Sequence, residues 1–390
     1  MRTVYLDHAS TTKIAPEVRR VMNDFLSENY GNPLSVQHLI GQRAHNELEG
    51  LRAQAALELG VTEDRIILTS GATEANNSIV LGFAAKYQGR AHHIIIAALE
   101  HRSIFEAAEQ AVRWFGSKLS VIPVDRAGTL DLDFVRRHVV KVNGPALVCV
   151  MHTNNEIPVA NPVEEIGKLC QSKEVFFHCD AVQAIPRGAF SPGLASVSSS
   201  VISPHKFYGP KGCGILVAGK EDWATPWEPL IVGGGQEQGK RSGTVNTASG
   251  AGGLAAIVTL RDHLVEDVRH LNQCGSFFSQ EMQTKIPGME LVVPVNERAP
   301  GIISFWIKNV DANTLLESIP HICISRGATC SSGGDKVSHV PNALGIPIEI
   351  GANILRASFG RDSSLDDVAY AVDEIARYVD YAGGKVRKSK

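Results

Sequence analysis

The chain has 390 residues, of which 44% are hydrophobic and 20% charged, and 38 basic residues nearly balance 41 acidic ones. This composition is typical of a globular protein and excludes the collagen-like, disordered and disulfide-scaffold classes. A formal charge of -3 offers no bulk positive field for non-specific nucleic-acid binding. No apolar run approaches the roughly 18 residues of a membrane span, and the start of the chain lacks a signal-peptide core. We therefore expect a cytoplasmic protein without direct nucleic-acid or membrane partners.

Short β-branched runs alternate with amphipathic helical stretches from about residue 62, which predicts an α/β fold with a mainly parallel seven-stranded sheet and flanking helices. The predicted strands are 65–69, 92–97, 120–123, 146–152, 175–179, 197–202 and 214–217. Between them we predict helices at 72–87, 104–115 and 162–171.

The alternation of short β-branched runs and helical stretches ends at about residue 259. A long helix at 251–286, a strand at 302–307 and a closing helix at 365–381 predict a smaller α+β unit. The first residues are too few to fold alone and are expected to join it. We expect a large domain of residues 15–259 and a small domain of residues 1–14 plus 260–390.

A strand end runs through glycine into a helix start at residues 69–77. Backbone N–H groups at the start of a helix, together with the helix dipole, favour an anion such as a phosphate. An ordinary helix capped by serine or threonine explains the same residues, so this motif alone leaves both interpretations open.

Asp180 ends an almost wholly apolar strand, and Lys206 follows the next strand along the chain. A buried carboxylate must be paired, so a structural salt bridge between the two residues is one interpretation. Together with the phosphate-type turn, the pair suggests pyridoxal 5'-phosphate, which needs a lysine, an acid and a phosphate site.

His101 and Asn155 also follow predicted strands, as Ser70 does. Ligands bind at the carboxyl ends of parallel strands, so we expect one crevice to collect these residues with Asp180 and Lys206. A histidine there can stack on a ring and carry protons near neutral pH.

The seven cysteines include no Cys-x-x-Cys pair, which indicates neither a disulfide framework nor a four-thiolate metal site. Five lie in apolar segments and are expected to be buried: Cys149, Cys170, Cys179, Cys213 and Cys323. Cys330 instead lies in a polar, glycine-punctuated stretch at 325–335, where an accessible thiol is expected.

In their order along the chain, these motifs resemble the cysteine desulfurases, the NifS/IscS group of fold-type-I pyridoxal phosphate enzymes related to class-V aminotransferases. The matching segments run nearly from end to end: 5–12, 30–33, 69–77, 154–156, 205–206, 233–235, 241–244 and 356–361. The resemblance implies the same fold for this chain.

The resemblance also implies roles for single residues. Lys206 would bind the cofactor aldehyde, Asp180 would pair with the ring nitrogen, Gln183 would bind the phenolic oxygen and His101 would stack on the ring. The remaining cofactor contacts would come from Ala72, Thr73, Ser203 and His205 at the phosphate, from Asn155, and from Thr244 of the neighbouring subunit in a homodimer. Asn155 and Arg356 would hold the substrate carboxylate, and Cys330 would accept the sulfur. The catalytic residues would thus be Lys206, Cys330 and His101, without a metal.

The implied reaction converts L-cysteine to L-alanine and leaves a persulfide on Cys330, which passes to an acceptor protein. Such acceptors serve iron-sulfur assembly, tRNA thio-modification or DNA phosphorothioation. This chain ends soon after Tyr381, earlier than the desulfurases that feed iron-sulfur scaffolds, which weakens the expectation that it docks such a scaffold and leaves room for a specialised acceptor.

Three other interpretations stay open. The first is a selenocysteine lyase or another class-V enzyme with the same cofactor. The second is a catalytically retired fold that serves as a binding module, although such a fold is expected to lack the lysine or the acid. The third is a metal site, for which the candidate ligands lack recognised spacing: His92, His93, His152 and His178.

Overall fold

The computed structural model describes residues 2–141, 143–193, 195–220, 224–293, 299–327 and 338–388. Its strands are β1 (Val4–Tyr5), β2 (Ile66–Thr69), β3 (His93–Ala97), β4 (Lys118–Ile122), β5 (Ala146–Cys149), β6 (Phe176–Asp180), β7 (Ser199–Ile202), β8 (Gly214–Ala218), β9 (Met289–Leu291), β10 (Ile302–Ile307), β11 (Ile322–Cys323), β12 (Ser325–Arg326) and β13 (Leu355–Ser358). Its helices are α1 (Pro16–Ser27), α2 (Leu39–Leu59), α3 (Ala72–Lys86), α4 (Arg102–Phe115), α5 (Leu132–Val140), α6 (Val163–Ser172), α7 (Thr247–Lys285), α8 (Ala312–Ser318), α9 (His339–Ala343), α10 (Ile348–Gly351) and α11 (Leu365–Lys388).

Seven strands form the central sheet in the spatial order β2-β8-β7-β6-β5-β3-β4. Strand β8 runs antiparallel to both neighbours, and the other paired strands are parallel. Side chains of a strand point alternately to the two faces, so Ile94 and Ile96 pack in one core and Ile95 packs in the other. Helices cover both faces. The predicted α/β architecture with a mainly parallel seven-stranded sheet is confirmed.

A second apolar core lies among the C-terminal elements. Strands β12, β13, β10 and β9 form an antiparallel sheet, and β1 pairs in parallel with β11. Val4 and Leu6 from the start of the chain are buried in this core with Phe278, Phe305 and Ile375. The first strand therefore packs with the last third of the chain.

Several predicted boundaries differ from the structure, among them the end of β5 and the start of α7. Strand β5 ends at Cys149 rather than at residue 152, although the chain stays beside β6, where His152 N donates to Asp180 O. Helix α7 begins four residues before its predicted start because the Asn246 side chain accepts a hydrogen bond from Ser249 N. The residues after this cap are small. Gly252 and Gly253 allow neighbouring side chains to pack close to the helix, but they add no apolar pattern that would reveal the helix start.

In the ranges the structure describes, no helix is both long and apolar enough to cross a membrane.

Four of the five cysteines that were expected to be buried are buried. Cys149, Cys170, Cys179 and Cys213 are buried, as is Cys274. The expectation that Cys323 is buried was wrong, because it is only partly covered. Its strand β11 is two residues long and pairs with β1, and Tyr5, its partner in that pair, is itself exposed.

Candidate active site

A cleft of about 600 Å³ lies where the parallel strands β6 and β7 end. Ser70 lines it, as do ten of the residues that the resemblance assigns to the site: Ala72, Thr73, His101, Asn155, Asp180, Gln183, Ser203, His205, Lys206 and Arg356. The parallel topology brings most of them together from segments far apart in the chain, and Arg356 comes from β13 of the antiparallel sheet.

Two residues of the predicted site are not in this group. Thr244 is exposed and does not line the cleft, and Cys330 lies outside the described residues. Gly327 and His339, however, both line the cleft. They stand just before and just after the undescribed range 328–337.

The start of helix α3 opens into the cleft without a side-chain cap. Gly71 occupies the N-cap position in extended conformation, so the serine or threonine cap considered above is not formed. Ser70 N instead donates to the Glu74 carboxylate at 2.9 Å, and Arg241 pairs with the same carboxylate at 2.9 Å. The negative charge of Glu74 is thereby balanced, and the first N–H groups of the helix border the cleft.

Lys206 and Asp180 are each held by well-defined partners. Lys206 ends a single turn that follows β7, and its Nζ donates to Ala9 O at 2.8 Å and to Ser10 O at 2.6 Å. Asp180 is buried at the end of β6, where it accepts from Asn76 Nδ2 at 2.9 Å and from Val182 N at 3.0 Å.

His101 caps helix α4 with its own side chain. Its Nδ1 accepts from Ser103 N at 3.2 Å and lies 2.8 Å from Ser103 Oγ. Burial lowers the pKa of His101, and the positive charge of Lys206 acts in the same direction while Asp180 opposes both. Since its pKa lies below the ordinary value, the imidazole is neutral at neutral pH.

Arg356 lies on β13 with 2% of its surface exposed. Its guanidinium donates to Asp7 Oδ1, Ser10 Oγ and Asn155 O, each at 2.7 Å. Among the described residues its buried Nε has no partner. Asp7 and Ser10 were not predicted as site residues, although both lie in the matching segment 5–12.

Two buried glutamates were also missed. Burial raises the pKa of Glu100 well above its usual value, and Glu100 Oε1 accepts from Met151 N at 2.5 Å. Burial likewise raises the pKa of Glu156, against the effect of its hydrogen bond from Ser338 Oγ at 2.8 Å. Glu100 directly precedes His101, and Glu156 is the last residue of the matching segment 154–156, but nothing in the sequence shows that they are buried.

The residues present fit pyridoxal phosphate. The uncapped helix start supplies N–H donors for a phosphate, Asp180 supplies an acceptor for a protonated ring nitrogen, and Lys206 supplies an amine for the aldehyde. A side-chain cap at the start of α3, or an apolar residue in place of Asp180 or Lys206, would have made the cleft unsuitable for pyridoxal phosphate.

Replacement of Arg356 by lysine is expected to raise KM for the amino-acid substrate by roughly tenfold or more, with a smaller change in kcat. Lysine keeps the charge but cannot hold Asp7, Ser10 and a carboxylate at once. Steady-state kinetics measure this effect. Arg102→Lys, at the rim of the same cleft, is the matched control, and an equal rise in KM there would contradict the assignment.

The four histidines considered as metal ligands each contact a hydroxyl group: His92 contacts Ser117, His93 contacts Ser120, His152 contacts Thr153 and His178 contacts Ser199. Across the described ranges no three His, Cys, Asp or Glu side chains group as a metal site would require. A larger cavity of about 810 Å³ beside His152 contains none of the other predicted site residues.

Burial of His178 predicts a pH-dependent stability. Burial lowers its pKa from 6.5 to about 3, so below 6.5 the unfolded chain takes up a proton that the folded protein excludes. Stability is lost as the pH falls, by about 1.4 kcal/mol per unit, or about 2 kcal/mol between pH 6.5 and about 5. The free energy of unfolding, measured by denaturant titration at several pH values, should fall less between pH 6.5 and about 5 in His178→Gln than in the wild type. His263→Gln, at an exposed site, is the control, and an unchanged pH slope in His178→Gln would refute the prediction.

Comparisons with known proteins agree with this geometry. The model of the Aminotransferase class-V family matches residues 4–370. The chain is 34% identical over 381 residues to cysteine desulfurase IscS of Dictyoglomus turgidum, covering 97% of this chain and 95% of that protein. It is 33% identical over 386 residues to the IscS of Rickettsia typhi, covering 99% and 92%. A solved NifS-like protein superposes with a TM-score of 0.89 at 31% identity, covering 98% of this chain and all of the other. This likeness confirms the expected fold-type-I architecture.

Proposed function

Because the chain belongs to the cysteine desulfurases within the aminotransferase class-V family, whose members depend on pyridoxal phosphate, we propose that it removes sulfur from L-cysteine and releases L-alanine. The observation that carries this proposal is the meeting of an amine, a carboxylate and an uncapped helix start in one cleft. A fold that had lost its activity and served only as a binding module would not need Lys206 and Asp180 in the same cleft.

Five residues would hold the phosphate and the aldehyde. Lys206 would bind the aldehyde carbon through Nζ. Ala72 and Thr73, in the first turn of α3, would donate to the phosphate. Ser203 precedes the turn that carries Lys206, His205 lies within this turn, and both would complete the phosphate side.

The ring would lie between His101 and the Asp180 side of the cleft. Asp180 would accept a hydrogen bond from the ring nitrogen. Gln183 donates one amide hydrogen to Ala9 O at 2.9 Å, which leaves the second for the phenolic oxygen. Asn155 and Arg356 would bind the carboxylate of the substrate, for which the guanidinium fork is suited.

Bound pyridoxal phosphate supplies an electron-accepting ring that stabilises negative charge at the substrate α-carbon. Asp180 keeps the ring nitrogen protonated by accepting its hydrogen bond. Lys206 Nζ would remove the α-proton of the substrate and later return a proton. Neutral His101 presents a hydrogen-bond donor beside the reacting atoms.

Cys330 is proposed to accept the sulfur. Its thiolate attacks the sulfur of the substrate, so an S–S bond forms and the carbon–sulfur bond breaks. The electron pair of the broken bond stays with the substrate carbon, which takes up a proton and becomes the methyl group of alanine. The protein is left with one persulfide. Support comes from Gly327 and Ser338, which flank the range that carries Cys330. Gly327 lines the cleft, and Ser338 donates to cleft-lining Glu156.

We propose that residues 15–259 form a large cofactor-binding domain and that residues 1–14 plus 260–390 form a small domain with the Cys330 segment. The separate apolar core around Val4, Phe278 and Phe305 supports this division. Arg356 then reaches the cleft from the small domain.

The acceptor of the persulfide is proposed to be a protein of iron-sulfur assembly, tRNA thio-modification or DNA phosphorothioation. The working compartment is proposed to be the cytoplasm, because a persulfide relay needs thiols that stay reduced and the described cysteines are unpaired. Capture of bound proteins by tagged, persulfide-loaded enzyme from its own cells assigns one of these pathways.

A homodimer is proposed from exposed apolar side chains in the segments 30–40 and 230–232. Tyr30, Leu39 and Val232 are 65%, 81% and 76% exposed, and exposed apolar side chains that cluster on a surface are typical of protein interfaces. Sedimentation equilibrium should give twice the 42.0 kDa of one chain. Leu39→Asp should favour monomers and weaken cofactor binding, whereas Leu57→Asp, on the same helix, should not. A wild-type monomer at micromolar concentration would contradict the proposal.

The proposed activity is tested by incubating the cofactor-loaded protein with L-cysteine and a thiol reductant. Equal amounts of alanine and sulfide are expected. Selenocysteine is the competing substrate, and a strong preference for it would replace the proposal with the lyase. Release of pyruvate or transfer of the amino group instead of alanine formation would assign another class-V activity.

A further inference from the structure

A buried chain of hydrogen bonds joins strand β7 to His101. Ser199 Oγ lies 2.9 Å from His178 Nδ1, and His178 Nε2 lies 2.9 Å from Asn76 Oδ1. Asn76 Nδ2 in turn lies 2.9 Å from both Asp180 Oδ2 and Ser103 Oγ. Ser103 Oγ is 2.8 Å from His101 Nδ1. Asn76, His178 and Ser199 are fully buried, so water does not compete for these bonds.

The direction of each bond follows from the carboxylate. Asp180 accepts hydrogen bonds, so the amide nitrogen of Asn76 faces it and the amide oxygen faces His178. His178 Nε2 must therefore donate, and its Nδ1 accepts the hydroxyl proton of Ser199. Burial lowers the pKa of His178 to about 3, which agrees with a neutral ring.

The second hydrogen of the Asn76 amide goes to Ser103 Oγ. Because that oxygen accepts from Asn76, its own proton is directed to His101 Nδ1. The same nitrogen also accepts from Ser103 N. Two donors at Nδ1 leave the ring proton of His101 on Nε2.

We propose that Asn76 is a positioning residue that holds His101 as the neutral Nε2–H tautomer, by giving one amide hydrogen to Asp180 and the other to Ser103. His178 fixes the orientation of this amide by donating a hydrogen bond to its oxygen. The ring orientation stands on these contacts alone, whereas its use as a donor in catalysis rests on the proposed function.

The charged and titratable groups around His101 come from several elements. Asp180 raises its pKa, and Lys206 and Arg102 lower it. His339 of α9 lies on the same side of the cleft, and buried Glu100 precedes His101 in the chain. A test must separate the hydrogen-bond chain from these charges.

NMR titration of the cofactor-loaded protein, labelled with 15N-histidine, measures the protonation of each ring nitrogen. The His101 signal is assigned by its loss in His101→Gln. In the wild type we expect Nδ1 unprotonated and Nε2 protonated throughout the neutral range. Ser103→Ala adds no charge and should move the protonation of His101 upward by about half to one pH unit. Ser103→Thr keeps the hydroxyl and should restore the wild-type titration.

Asn76→Asp has nearly the same shape but keeps at most one donor, the proton that two carboxyl groups so close together share, and this proton goes to Asp180. The Ser103 hydroxyl then turns toward the new carboxyl group, and the protonation of His101 should rise by more than about one unit. Asn77→Asp places the same charge one residue along and should have a smaller effect. Unchanged titration in folded Ser103→Ala overturns the proposal. Equal shifts in Asn76→Asp and Asn77→Asp would assign the effect to charge alone. None of these titrations depends on turnover, so failure of the proposed function would be seen separately, in the assay of alanine and sulfide formation.

Discussion

Lys206→Ala is expected to abolish alanine formation from cysteine, a loss of roughly a thousandfold or more. The amine is held by Ala9 O and Ser10 O inside the cleft and shares that cleft with Asp180. Its removal takes away both the covalent anchor of the cofactor and the base for the α-proton. Alanine release and the visible absorbance of the purified protein measure the two losses together.

Lys211→Ala is the matched control, because it removes the same charge five residues further along. It should keep activity within severalfold of the wild type and keep the absorbance of the bound cofactor. Should Lys206→Ala stay coloured and active while Lys211→Ala does not, the cofactor is anchored elsewhere and the assignment fails.

Cys330→Ala is expected to remove the enzyme-bound persulfide entirely and to reduce sulfide release by roughly a hundredfold or more. The other six cysteines are poor competitors. Burial raises the pKa of the thiols of Cys149, Cys170, Cys179, Cys213, Cys274 and Cys323. Few of them are thiolates at neutral pH, and the thiolate is the nucleophile.

Cys323→Ala is the control for this variant, because Cys323 is the one described cysteine that is partly exposed. It should leave both the persulfide and the rate of sulfide release unchanged. Full activity in Cys330→Ala would mean that the sulfur leaves the substrate without a protein thiol, as in a lyase.

The central sheet was predictable because each strand carries a local apolar signal and each helix between strands has its own pattern. The convergence of His101, Asp180 and Lys206 was predictable for the same reason, since parallel strands end at one edge. Helix α7 was placed less well. Its first turns are rich in small residues that serve close packing, and its start depends on one side-chain contact of Asn246.

The supporting contacts of the site could not be read from the sequence. Asp7 and Arg356 are 349 residues apart and meet only because β1 joins the C-terminal core. The partners of Asn76 lie 27, 102 and 104 residues away. No local pattern signals such pairs, because hydrogen-bond partners at this separation are set by the tertiary fold.

The account depends most on a sulfur atom passing from cysteine to one thiol. Cofactor-loaded wild-type protein treated with sulfur-labelled cysteine for a single turnover, then digested and mapped by mass spectrometry, tests this transfer directly. The predicted result is one labelled sulfur on the peptide that contains Cys330 and one alanine per sulfur. Label on any of the other six cysteines, or alanine formed without labelled protein, would contradict it.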